Sequence, residues 1–203
     1  MTEVTGTRLA EIEKEIKTGD PLLWRPEPGD LWGRAITVGA GGAEYSHVGM
    51  AVWLQQPFTP PVLYTMDMVL GAGGVAVPLQ SYLDRWPGLC DHFRVDDDRF
   101  PMWDGEAAAA YFQNEFLGVP YGKENARLAA RTRLALLRWF FRCNRDDDYV
   151  AAGPPFCSGA YAEAAGAKLG GKVDPVPGLS PSYTWPGDLA ESLLFNKAHE
   201  ALI

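Results

Sequence analysis

The apolar positions of this chain switch between two periods, and each switch marks an element. Over residues 7–18, Leu9, Ile12 and Ile16 recur at helical spacing and Gly19 is placed to stop the helix, which reads as a packing lid. Residues 21–28 are rich in proline and read as a connection. Gly29-Asp30-Leu31-Trp32 then opens the first core segment, followed by a glycine-rich stretch over residues 39–42. From there the pattern turns to strands: His47 to Leu54, Val62 to Val69 across the loop of Pro57, Pro60 and Pro61, and His92 to Val95. Together these predict a small antiparallel sheet. Pro78 to Leu83 reads as a short helical turn. Asp104 is placed to cap a helix carrying Ala108, Tyr111, Phe112 and Phe116, which Gly118 terminates.

Two more helical patterns follow. Residues 124–145 carry Leu128, Leu134, Leu137 and Phe141, with Arg127 and Arg131, then Arg138 and Arg142, paired four apart. This basic stretch reads either as a solvated outer face neutralised by Asp146-Asp147-Asp148 or as an arm for a membrane surface. The other pattern begins after Pro154-Pro155, which cannot lie inside a helix and so fix its start. Its stripe of Tyr161, Ala164, Ala165 and Leu169 ends at Gly170-Gly171, and Cys157 falls in its first turn. A thiol there faces unpaired backbone N–H groups and the positive end of the helix dipole, which favour the thiolate.

Composition narrows the class. With 203 residues, 47% hydrophobic and 22% charged, the chain can bury a sizeable core. It divides into an N-terminal helix and Pro-rich connection over 1–28 and a main domain over 29–203, with a helical insertion at about 123–154. A net charge of -8 makes nucleic acid a poor partner. Cys90, Cys143 and Cys157 form no disulfide framework, and the start Met1-Thr2-Glu3-Val4 has neither a basic nor an apolar signal region. The expectation is a soluble, cytoplasmic protein, or one released by lysis or carried by a phage particle. Asp96-Asp97-Asp98 lacks the spaced oxygen ligands of a calcium loop, and no metal or organic cofactor is expected.

Nucleophilic cysteine chemistry needs an imidazole to share the thiol proton and a polar group to orient that imidazole. The chain has three histidines. His92 follows Cys90 too closely for a zinc arm and has no second ligand pair, and His199 lies near a polar C-terminus where exposure is expected. His47 stands at the mouth of an apolar strand, so its ring can point past the sheet toward a helix start. Asp67 is the carboxylate inside the otherwise apolar neighbouring strand, a costly position without a partner, and neighbouring strands lie close enough for the two side chains to meet.

These segments carry a resemblance. Tyr45-Ser46-His47-Val48-Gly49-Met50, Leu63-Tyr64-Thr65-Met66-Asp67, Val75 to Leu83, Gly118-Val119-Pro120-Tyr121-Gly122 and Phe156-Cys157-Ser158-Gly159, closing with Trp185-Pro186-Gly187-Asp188, resemble the permuted branch of the NlpC-type papain-like cysteine hydrolases, including the YiiX-like group. The order is diagnostic: ordinary members run Cys, His, polar residue, whereas permuted ones run His, polar residue, Cys, as His47, Asp67 and Cys157 do. The resemblance spans residues 29 to 195 and implies an α+β papain-like fold in which a small antiparallel sheet packs against helices. It also implies attack by Cys157 on an amide or ester carbonyl, His47 as base, Asp67 as its orienter, and a thioester intermediate. The group commonly has Glu where Asp67 stands, so the shorter side chain must reach His47 from a slightly closer strand or through water. Tyr121 resembles a tyrosine that helps the oxyanion site, although the backbone N–H of Cys157 can serve there without a side chain. Peptide, peptidoglycan and acyl-lipid substrates are all within what the resemblance implies. A catalytically silent binding module and a membrane-associated lipid acyl hydrolase or transferase are the alternatives.

Overall fold

The computed structural model describes residues 9–39, 42–86, 89–133, 152–166 and 170–202. The chain opens with α1 (Leu9–Ile12), prolonged by a 3-10 turn, then β1 (Pro21–Trp24) and α2 (Leu31–Gly39). Next come β2 (His47–Leu54), β3 (Val62–Val69), β4 (Gly73–Pro78), α3 (Leu79–Arg85) and β5 (Cys90–Val95). The second half holds α4 (Gly105–Phe116), α5 (Lys123–Arg133), α6 (Cys157–Gly166), α7 (Pro186–Ala190) and β6 (Phe195–Leu202). The fold is α+β: six strands in the order β4-β3-β2-β1-β5-β6 form one open, antiparallel sheet packed against helices.

The sheet separates two apolar layers, and strand alternation assigns each residue to one of them. Val48, Met50 and Val52 of β2, with Met66 and Met68 of β3, join α4, α5 and α6 on one face. Leu22 and Trp24 of β1, with Ala51 and Leu63, join Leu9, Ile12 and Ile16 and the α3 residues Leu79, Tyr82 and Leu83 on the other. The first helix thus closes the second layer, in keeping with a packing lid.

The proline-rich connection proposed for residues 21–28 is corrected at its start. Residues 21–24 are a central strand, paired with β2 (Leu23 opposite Val48) and with β5 (Leu22 opposite His92). Pro21 is the strand's first residue, a position where a missing N–H is tolerated, and Leu22-Leu23-Trp24 is a continuous apolar run because both faces are covered. The polar C-terminus is likewise strand β6, and His199 is only 18% exposed, its ring stacked on His92 at 5.5 Å. The strand expected from His92 begins at Cys90. Of the basic helical pattern over 124–145, residues up to Arg133 are helical and the remainder, with Cys143 and both functional readings of the arm, lies outside the described residues. Among the described residues no helix is long and apolar enough to cross a membrane.

Candidate active site

Helix α6 begins at Cys157, where the sequence places it, and runs through the core with every residue from Cys157 to Ala162 buried. Its small side chains, Gly159, Ala160, Ala162, Ala164 and Ala165, let it lie close against the sheet. It is pinned there by Tyr161, whose hydroxyl donates to the Gly19 carbonyl at 2.7 Å, and by Ser158, which donates to the Thr184 carbonyl at 2.8 Å. The start of this helix meets the mouth of β2. Cys157 and His47 interact directly there, the thiol sulfur also receiving the backbone N–H groups of Val48 and Ser158.

Asp67 reaches the same imidazole from β3. His47 Nε2 lies 3.4 Å from Asp67 Oδ1, with His47 25% exposed and Asp67 fully buried. A glycine makes the approach possible. Continuing the β2–β3 register of Met50 opposite Met66 by one residue sets Gly49 opposite Asp67, and a Cβ on Gly49 would stand 1.8 Å from Asp67 Oδ1. The aspartate carboxylate therefore occupies the space that any side chain at position 49 would fill. Neither Asp67 oxygen has a partner at close hydrogen-bond geometry. The Tyr82 phenol of α3 also faces Asp67, and burial and that carboxylate together push its pKa up. Trp24, register partner of His47 on β1, packs its ring 5.6 Å from the imidazole.

Tyr121 arrives although it lies 36 positions before Cys157 in the chain. Its segment is tied at one end to the sheet edge, where Gly74 N–H donates to the Val119 carbonyl at 2.8 Å and Gly118 N–H returns to the Gly74 carbonyl at 2.9 Å. At the other end Gly122 N–H donates to the Pro155 carbonyl at 2.9 Å, and Asn125 Nδ2 to the Pro154 carbonyl at 2.8 Å. Because Pro154-Pro155 leads directly into Cys157, these bonds bring the tyrosine to the thiol. Burial and the charge on Cys157 push the Tyr121 phenol pKa up, so it stays a hydrogen-bond donor to the sulfur.

The electrostatics follow from this contact. Burial works against a charge on Cys157, but the His47 imidazolium and the two backbone N–H donors outweigh it, and the thiol pKa falls below its ordinary value. Burial likewise works against the His47 cation, yet the Cys157 thiolate and Asp67 raise its pKa to about 10. The two shifts run in the directions that favour a thiolate–imidazolium pair over the neutral thiol and imidazole. Cys90 is the contrast: burial and the nearby Asp91 and Asp67 charges push its pKa well up.

No family model matches the chain, and no curated protein matches it. The site therefore rests on its own geometry. The structure brings together all four residues singled out from the sequence: Cys157, His47, Asp67 and Tyr121. Gly49, Tyr82 and Trp24 are the contributors that sequence reasoning left unused. The glycine two residues after His47 was the one visible signal, since a glycine inside an apolar strand marks the close approach of another group.

Proposed function

We propose that this protein is a cysteine hydrolase or acyltransferase acting on an amide or ester carbonyl, on a papain-like frame of permuted order. The observation that carries the reading is the contact of Cys157 with His47 at the start of a buried helix, with Asp67 behind the imidazole. The Cys157 sulfur attacks the carbonyl carbon, and the developing oxyanion is met by the backbone N–H at the helix start. His47 Nε2 is turned to Asp67, which leaves Nδ1 to face the reaction. From there the imidazolium gives its proton to the departing amine or alcohol as the carbon–nitrogen or carbon–oxygen bond breaks, leaving a thioester on Cys157. Water or an acceptor, deprotonated by the now neutral His47, then attacks the thioester and returns the thiolate. Asp67 holds the ring and supports its charge throughout.

The test is direct trapping. Brief treatment with p-nitrophenyl butyrate should place a butyryl group on Cys157, read by peptide mass spectrometry, and none on Cys90. Absence of that adduct under conditions that acylate an exposed control thiol would reject the reading in favour of a catalytically silent module.

A further inference from the structure

Two cavities meet at the Cys157–His47 pair, and their linings differ in kind. One, of about 310 Å³, is lined by His47 and not by Cys157; the other, of about 70 Å³, is lined by Cys157 and not by His47. Ile36, Ser46 and Tyr121 border both and form the waist between them. The chemistry proposed above assigns the two halves. The acyl carbon bonds to sulfur, so its chain extends on the Cys157 side; the departing atom takes its proton from His47, so the rest of the leaving group lies on the His47 side.

Resting on that nucleophile assignment, we infer that the substrate joins a short apolar acyl group to a leaving group that carries an ammonium charge. The acyl slot is lined by Ala35, Ile36, Ala126, Phe156, Trp185 and Pro186, which bring no charge. Its volume is less than half of the roughly 150 Å³ that holds a benzene molecule in an engineered apolar cavity, so it takes a chain of a few carbons and not a fatty tail. The His47 cavity is walled by aromatic rings in sequence: Trp24 and Tyr82 lie 5.7 Å apart, and Tyr82 and Trp86 5.0 Å apart; the Arg85 guanidinium already lies 5.3 Å from the Trp86 ring, so Trp24 and Tyr82 are the rings of this wall without a guanidinium or ammonium over them among the described residues. Glu27 and Asp30 stand at the same cavity. Among the described residues Glu27 has no cationic partner, and the Asp30 carboxylate accepts only an uncharged backbone N–H, that of Gly33 at 2.9 Å. Arg25 also borders the space, but its guanidinium is held by Glu44 and Asp91, each at 2.6 Å, and by Glu200 at 3.0 Å. Aromatic faces beside carboxylates without counter-ions attract a cation and repel an anion.

The experiment compares butyrylcholine with its neutral carbon isostere, dimethylbutyl butyrate, in which a tert-butyl group replaces the trimethylammonium; p-nitrophenyl butyrate serves as the activated control. The expected result is a kcat/KM about tenfold higher for the cation, carried mainly by KM. In the variant combining Glu27→Gln and Asp30→Asn, where the asparagine can still accept the Gly33 N–H, the ratio should fall toward one. Decanoylcholine should react far more slowly than butyrylcholine. Equal kcat/KM for cation and isostere, or reaction with the nitrophenyl ester alone, would overturn the cationic assignment, and equal rates for decanoyl and butyryl esters would overturn the short acyl group. No butyryl group on Cys157 from any of the three butyrates would instead reject the nucleophile assignment itself.

Discussion

Two of the imidazole–carboxylate pairs among the described residues, those with a buried aspartate, are built from the same groups and set to opposite ends. His92 Nε2 lies 2.8 Å from Asp20 Oδ2, and both side chains are at most 1% exposed. Asp20 also accepts from the backbone N–H groups of Lys17 at 2.9 Å and Val95 at 3.4 Å, which ties the end of the first helical segment to β5. Both oxygens of that carboxylate are taken up by partners within the fold. His47 and Asp67 stand 3.4 Å apart, with the imidazole partly open to a cavity and a thiol on its other side. A short pair whose carboxylate is bonded on both oxygens fixes the fold; a longer one whose carboxylate has no close partner keeps hydrogen-bonding capacity for the moment when charge moves, and hydrogen bonds of this kind can tighten when substrate is bound.

Breaking each pair should expose the difference. His47→Ala should lower turnover of an activated ester on the order of 10³-fold, with the thermal midpoint within a few degrees of the parent, because a partly exposed ring carries little of the packing. Asp20→Asn should do the reverse. Taking the charge from a buried pair costs on the order of 3 kcal/mol of stability, measured by denaturant titration, while kcat/KM in the fraction that stays folded remains within a few-fold. Large activity loss from Asp20→Asn at full stability would erase the distinction between the pairs.

A smaller effect tests how the functional pair is spaced. Gly49→Ala places a methyl carbon where Asp67 Oδ1 now lies and must displace the carboxylate. Turnover should drop roughly 10²-fold, as expected when a supporting group moves by about an ångström. The combination of Gly49→Ala with Asp67→Asn should be little worse than either change alone, because both act through the orientation of His47. Smallest is Tyr82→Phe, which removes the phenol facing Asp67 and should cost a few-fold in kcat with KM unchanged.

How much of this was legible in the chain depended on whether the signal was local. Cys157 could be read because two prolines and an alanine-rich stripe define the helix start within a dozen residues, and Asp67 because a carboxylate in an apolar strand is conspicuous. The order of His47, Asp67 and Cys157 carried the resemblance. Strand β1 was not legible: its four residues sit among Pro21, Pro26 and Pro28, and only the tertiary sheet, with β2 on one side and β5 on the other, makes Leu22-Leu23-Trp24 a strand. The same holds for β6, whose exposed-looking sequence Asn196-Lys197-Ala198-His199-Glu200 becomes an edge strand by pairing with β5. Tyr82 and Trp24 were invisible as site residues because their roles arise from α3 and β1 converging on the face that Asp67 shares.

The thiolate–imidazolium pair is the central claim, and the rate of Cys157 alkylation by iodoacetamide between pH 5 and 8 measures it. The sign is fixed by the two shifts. The raised pKa of His47 keeps the imidazolium until pH rises through about 10, and the lowered pKa of Cys157 keeps the thiolate until pH falls through a value below that of an ordinary thiol. Cys157 should therefore react faster at pH 6 than an unperturbed thiol, which titrates near 8.5 and is almost wholly protonated there, while buried Cys90 stays unlabelled. In His47→Ala the rate at pH 6 should collapse and climb with pH as for a free thiol. A Cys157 rate that rises steadily across this range and is the same in both proteins would contradict the account.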